Sequence, residues 1–187
     1  MTTATLAAER GTTQWSIDPS HSHVGFGVRH LMISTVKGRF AGVNGGVSLE
    51  NGSVGTASID VTIDAASIDT GVGQRDEHLR SADFFDVARF PTLKFESRRI
   101  ERTGKDALRV TGDLTIRDVT REVHLDVREL GNVQDPWGGE RAGYSAEARI
   151  NRRDFGLTWK QALETGGLVV ADEVAITLEA QFVRKFE

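Results

Sequence analysis

Apolar and polar residues alternate along most of the chain. Across 56–64, Ile59, Val61 and Ile63 fall on one face, and Ser58, Asp60, Thr62 and Asp64 on the other. Across 107–118, Leu108, Val110, Leu114 and Ile116 alternate with Arg109, Thr111, Asp113, Thr115 and Arg117. Val123, Leu125 and Val127 alternate with His124, Asp126 and Arg128, and Val174, Ile176, Leu178, Ala180 and Phe182 line one side of the last segment. Weaker strands fit 14–18, 36–49, 92–100 and 142–150. A period of two over such lengths predicts half-buried antiparallel strands, dry on one face and wet on the other. About eight of them in one chain close most simply into an up-and-down barrel, which removes exposed strand edges.

Two segments break the pattern. In 74–85, Leu79 and Ala82 stand at helical spacing and predict a short helix, ended before Pro91 because the residue ahead of a proline is driven to extended geometry. The segment 151–167 predicts a loop with one or two helical turns, stopped by Gly166-Gly167. Residues 1–13 are expected to be a flexible polar tail, and 14–187 a single barrel domain.

Composition narrows the functions. The net charge of −4, with both signs interspersed and no basic block, argues against nucleic acid as a partner. With no cysteine, disulfides and thiol nucleophiles are excluded. The chain has no apolar run of membrane-spanning length and no signal-peptide pattern at its start. The expectation is therefore no integral membrane segment and a cytoplasmic location.

Candidate chemistry centres on 21–31, HSHVGFGVRHL, which holds three of the five histidines. Counted by two, Val24, Phe26, Val28 and His30 share the inner face. His21 and His23 then point outward or lie at the strand entry. A His-x-His pair can ligate zinc, but a third ligand is needed, and neither His124 nor His78 is brought near by sequence. The expectation is no metal, no cofactor and no catalytic residue. His30 instead reads as a polar group at the end of an apolar stripe, placed to meet the head of a ligand whose tail fills the barrel. Arg75 and His78, three apart on the predicted helix, share a face and are further candidates for that head. The adjacent carboxylate pairs Asp76-Glu77 and Asp172-Glu173 are poor acid/base pairs, since strand neighbours point to opposite faces.

An eight-stranded barrel either fills with its own side chains or holds one ligand. Strands of ~10 to 12 residues run about 35 Å, and small inward residues such as Gly112, Ala146, Ala148 and Ala180 leave room. Such a lumen suits a long, narrow, apolar molecule. Burying ~400 Å² of its tail contributes roughly 10 kcal/mol gross, less the costs of ordering and association.

Several motifs together resemble the YceI-like family. HSHVGFGVRHL is similar to its His-Ser-x-Val-x-Phe-x-Val-x-His-Leu opening, and STVKGRFAGVNG (34–45) to its next strand. Residues 74–97 resemble its Arg-Asp-x-His-Leu helix, Phe-Phe-Asp turn and Pro-x-x-x-Phe strand. GDLTIRDVTREVHLDV (112–127), NRRDFGLTW and ETGGLVVADEV complete a match over about 14–185. Lys160 and Ala171 depart from the family's Asn and Gly. The resemblance implies an extended, lipocalin-like barrel that binds polyisoprenoid lipids, such as polyprenyl phosphates or quinones, without known catalytic residues. By analogy alone it also implies a homodimer.

The fold expected is thus all-β: an extended eight-stranded antiparallel up-and-down barrel with one or two short helices. The function expected is binding of an isoprenoid lipid for storage, transport or sequestration. Parity and apolarity pick Phe26, Val28, Phe40, Ile59, Val61, Phe84, Phe95, Leu114, Ile116, Tyr144, Ile176 and Leu178 as tail contacts. His30, Arg75 and His78 are the head contacts. The rival readings are a metal-dependent hydrolase at His21 and His23, an isomerase acting in the lumen, and a structural or stress-related barrel filled by side chains.

Overall fold

The structure, a computed structural model, describes residues 11–160 and 169–185. It has eleven strands in chain order: β1 (Thr12–Ile17), β2 (His23–His30), β3 (Ser34–Phe40), β4 (Val43–Glu50), β5 (Ser58–Asp64), β6 (Ile68–Asp69), β7 (Thr92–Arg102), β8 (Ala107–Ile116), β9 (Val119–Gln134), β10 (Glu140–Asn151) and β11 (Val170–Lys185). Among the described residues one α-helix, α1 (Gly73–Arg80), lies between β6 and β7. It is too short to cross a membrane, and no other helix among the described residues is longer.

The barrel closes in the order β1-β4-β5-β7-β8-β9-β10-β11, with β11 pairing back onto β1. That ring has eight strands, all antiparallel. The other three complete walls that local sequence interrupts. β11 is long enough to border two strands, β1 through 182–185 and β2 through 170–179. Between β1 and β2, Pro19 cannot donate to a ladder, and Asp18 caps the turn by accepting from the Ser20 N–H at 3.0 Å. The strand expected over 36–49 is likewise two strands, β3 and β4, broken at Ala41-Gly42. β5 passes into β6 through a turn that Asp64 caps, its carboxylate accepting from the Ala66 N–H at 2.9 Å.

The period-two faces sort as the sequence pattern predicts at most positions: Leu108, Val110, Leu114, Ile116, Val123 and Val127 are buried, while Arg109, Glu122 and His124 are exposed. Thr111, expected on the wet face, is buried, its hydroxyl covered by the His124 ring that bonds it.

The helix expected over 74–85 is shorter, Gly73–Arg80. Ser81 turns extended at φ −70°, ψ 173°. Its Oγ donates to the His78 carbonyl at 2.7 Å and its own carbonyl accepts from the Asp86 N–H at 2.9 Å. This turn leaves Ala82 exposed and buries Phe84. Asp76 ties α1 to the end of β6, accepting from the Thr70 N–H at 2.9 Å and the Thr70 hydroxyl at 2.5 Å. After β10 one 3₁₀ turn, Arg152–Phe155, ends at Gly156 in the left-handed region, φ 76°. The remainder of the expected 151–167 segment, from 161 onward, lies outside the described residues.

Candidate ligand-binding site

The barrel encloses a cavity of about 720 Å³. Its wall is the inward face of every strand of the ring. All of the residues assigned from parity to an apolar tail line it, from Phe26 and Val28 on β2 to Ile176 and Leu178 on β11. Ala146 and Ala180 line it too, but Gly112 and Ala148 do not. The space at Gly112 is taken by Phe95: a Cβ there would meet the Phe95 ring at 2.5 Å and the Glu96 carbonyl at 2.6 Å. Gly112 therefore makes room for a neighbouring ring, not for a ligand.

A void of this size is not a packing defect. The lumen opens to solvent and is lined mostly by apolar side chains. The lumen must be occupied by solvent or ligand, and walls of valine, leucine, isoleucine and phenylalanine are poor partners for water.

His30, Arg75 and His78 all line the lumen, at the end where α1 lies. His30 is the last residue of β2, paired with Val170 and Ser34. Arg75 is anchored to the chain ahead of α1: Nε donates to the Thr70 hydroxyl at 2.7 Å and Nη2 to the Thr70 carbonyl at 2.9 Å. His78 hydrogen-bonds Asp83 through Nε2 at 2.9 Å. Its ring meets Phe84 and Trp159 edge-on, at 5.2 and 5.1 Å. Trp159 and Phe84 lie 5.3 Å apart. The three rings form one aromatic cluster at that end of the lumen.

Sequence reading left several polar residues of the lining unassigned, among them His23, Arg29, Asn132, Glu179 and Arg184, and two more are held in place by ion pairs. Arg152 is 4% exposed and lines the lumen near the aromatic cluster. It donates to the carbonyls of Leu157 and Trp159 at 2.7 Å and of Ala171 at 2.9 Å, and pairs with Asp172 at 2.9 Å. Burial pulls its pKa down from the ordinary arginine value against the opposing pull of Asp172. Nothing in the composition of 151–157 singles out Arg152 over Arg153. Glu129 lines the opposite end of the lumen, held by Arg102 at 2.7 Å. Here a signal existed, because the count that puts Val127 inside also puts Glu129 inside. Tyr144 pairs with Glu129 across strands and stands edge-on to Phe182 at 5.9 Å. Burial, with the Glu129 charge adding, raises its phenol pKa. The lumen thus has polar groups at both ends and an apolar middle.

Two of the remaining histidines are accounted for outside the lumen: His21 bonds Asp18 at 2.9 Å and His124 bonds the Thr111 hydroxyl at 3.0 Å. His23 differs from the outward reading in that it borders the lumen, its ring folded over Gly25. Among the described residues no three His, Cys, Asp or Glu side chains gather to hold a metal.

Comparison with known proteins gives a consistent set of likenesses. The YceI-like domain model matches residues 15–182. A relative described as protein YceI, from Salmonella newport strain SL254, is 40% identical over 138 residues, covering 74% of this chain and 72% of the relative. The crystal structure of Burkholderia cenocepacia BcnA superposes with a TM-score of 0.77 at 25% identity, covering 88% of this chain and 98% of that one. A polyisoprenoid binding domain from Saccharophagus degradans, implicated in plant cell wall breakdown, superposes with a TM-score of 0.66 over 90% of this chain and 97% of its own. At 18% identity, that last likeness shows the fold alone.

Proposed function

The chain belongs to the YceI-like domain family, and on that footing we propose that its barrel binds one long-chain polyisoprenoid lipid, a polyprenyl phosphate or an isoprenoid quinone. The role is storage, transport or sequestration of the lipid, and no chemistry is done on it. The observation that carries the reading is the lumen itself, about 720 Å³ and apolar through its middle. That volume lies within the ~300–1,000 Å³ range of small-molecule sites. The polyisoprenoid binding domain sharing this fold adds support.

In this reading the tail lies along Phe26, Val28, Phe40, Ile59, Val61, Phe84, Phe95, Leu114, Ile116, Tyr144, Ile176 and Leu178. The head meets His30, Arg75 and His78 at the α1 end. The deciding experiment is mass spectrometry of the organic extract of natively purified protein, beside its intact native mass. The expected result is a stoichiometric isoprenoid. The reading fails if the extract is empty and the emptied protein takes up none of a panel of polyprenyl phosphates, quinones and prenyl alcohols. His30→Ala tests the head assignment separately. It should weaken a head-bearing lipid by roughly tenfold and leave a bare prenyl hydrocarbon unaffected. Equal loss for both refutes the role of His30.

A further inference from the structure

Two large apolar side chains stand in solvent at the tip of the β2–β3 hairpin. Met32 is 57% exposed and Ile33 80%. The turn is closed by the Ile33 N–H donating to the His30 carbonyl at 3.2 Å, with Leu31 and Met32 at φ 50° and 61°. Positive φ at both central residues is the hairpin turn that asparagine-glycine adopts cheaply. Leucine and methionine adopt it at a conformational cost. Backbone strain and exposed apolar surface therefore coincide at one spot, and folding rewards neither.

The surroundings say what the tip faces. Val28, His30 and Val36 of the same hairpin line the lumen, as do Val169 and Val170. The Leu31 N–H donates to the Val169 carbonyl at 2.9 Å, so the tip is fixed at the edge of the lumen's α1 end. In a chain of net charge −4, residues 23–40 carry Arg29, Lys37 and Arg39 and no acidic residue. Arg39 pairs with Asp69 at 3.3 Å. Exposed Arg29 donates to the Met32 carbonyl at 2.7 Å, and exposed Lys37 has no ion-pair partner among the described residues.

We propose that this hairpin tip docks on an anionic lipid bilayer, with Met32 and Ile33 entering the interface and Arg29 and Lys37 facing the headgroups. Two side chains form a prow too small for a stable protein interface, which takes about 800 Å² per partner. Their reach suits shallow insertion, ~5–10 Å into the boundary of headgroups and acyl chains. The purpose of the contact rests on the lumen reading: a prenyl lipid passes from bilayer to barrel without crossing water.

The test is co-sedimentation of the full chain with vesicles of phosphatidylcholine alone, or of phosphatidylcholine and phosphatidylglycerol in equal parts. The wild type should pellet with the phosphatidylglycerol vesicles, and less so as salt is raised. Met32→Ser with Ile33→Ser should reduce that retention by about tenfold or more, and Lys37→Gln by a smaller factor. Both variants should keep the wild-type melting temperature, since these side chains are exposed. The proposal is overturned if the wild type pellets with neither vesicle, or if the double serine variant pellets unchanged. It also falls if velocity sedimentation without vesicles shows a wild-type dimer that the double variant dissolves, which would make the tip a contact between copies. Uptake of a fluorescent prenyl alcohol added from ethanol reads the lumen independently. Failure of that uptake with intact vesicle binding strikes at the lumen reading and leaves the docking surface standing.

Discussion

At Gly112 the wall of the barrel and the ring inside it meet with no room for a methyl group. The obstacle on one side is backbone, the Glu96 carbonyl, which cannot swing away. Gly112→Ala should cost ~1–3 kcal/mol by overpacking, lowering the melting temperature by several degrees in a thermal melt. An unchanged melt would mean that Phe95 can move, and that the glycine is spare room after all. Arg152 is the converse case, a charge whose removal leaves partners behind. Arg152→Met takes the donor from four carbonyls and leaves Asp172, among the described residues, with only Arg153 at 3.7 Å, and the expected loss is roughly 3–5 kcal/mol. Arg152→Lys should recover only part of it, because an ammonium cannot fork to so many acceptors. Urea titrations of the three proteins check the order. The two sites differ in how well they can be read from sequence. Parity put Gly112 on the inner face, but which ring fills its space depends on the Phe95–Leu114 register across β7 and β8. The partners of Arg152 are main-chain atoms of segments that only the fold brings together.

Alternation made the strands legible, and their interruptions were much less so. Period two states which face is dry, but says little of where a ladder stops and resumes on the same neighbour. Pro19 marks the β1–β2 break in plain view, whereas Ala41-Gly42 carries no comparable mark. The expected helix overran because Leu79 and Ala82 fit helical spacing, although the chain leaves the helix at Ser81 to bury Phe84. The β1–β2 break is where electrostatics enters. Asp18 bonds His21 at 2.9 Å and Arg141 of β10 at 2.9 Å, and Arg141 also holds Asp135 at 2.8 Å. The bond from His21, then that from Arg141, hold the Asp18 carboxyl below its ordinary range against a desolvation that would raise it. Asp135 is lowered in turn by Arg141 and by the Gly139 N–H. A carboxyl whose folded pKa is depressed binds protons more weakly folded than unfolded. Its contribution is therefore complete above the unfolded value of about 4 and is lost as pH falls through the lower folded value. Melting temperature should thus fall as pH drops below about 4, and Asp18→Asn should flatten that acid limb while lowering the neutral plateau. A limb of equal steepness in Asp18→Asn would show that other carboxylates dominate it.

At the scale of the whole molecule, eight walls and a lumen follow from the count of strands, but whether the lumen is full does not. That depends on the sum of side-chain volumes along every inner face, and single positions mislead: Gly112 is occupied while Ala146 opens onto the cavity. Ala146 sits mid-wall, opposite Val127 on one side and Leu178 on the other. It stands two residues along β10 from Tyr144, which marks the Glu129 end, and well away from the α1 end. Ala146→Phe therefore obstructs the apolar middle without touching His30, Arg75 or His78. Because the new ring enters existing space, the protein should fold with a melting temperature close to that of the wild type. A ligand that runs the length of the barrel should lose about tenfold or more in affinity, some 1.4 kcal/mol. A short prenyl alcohol held at the α1 end should bind almost as before. Linkage gives the readout without a label. At a free ligand concentration of about a hundred times Kd, a site stabilises its fold by ~2.7 kcal/mol, an upward shift of roughly 5–10 °C for a domain of this size. The wild type should show that shift with long and short lipids. Ala146→Phe should show it in full with short ones and about half of it with long ones, because a tenfold weaker site at the same ligand concentration contributes only ~1.4 kcal/mol. If the long lipid shifts both proteins equally, its tail does not pass Ala146, and the lumen is shared between ligand and water instead of being filled from end to end.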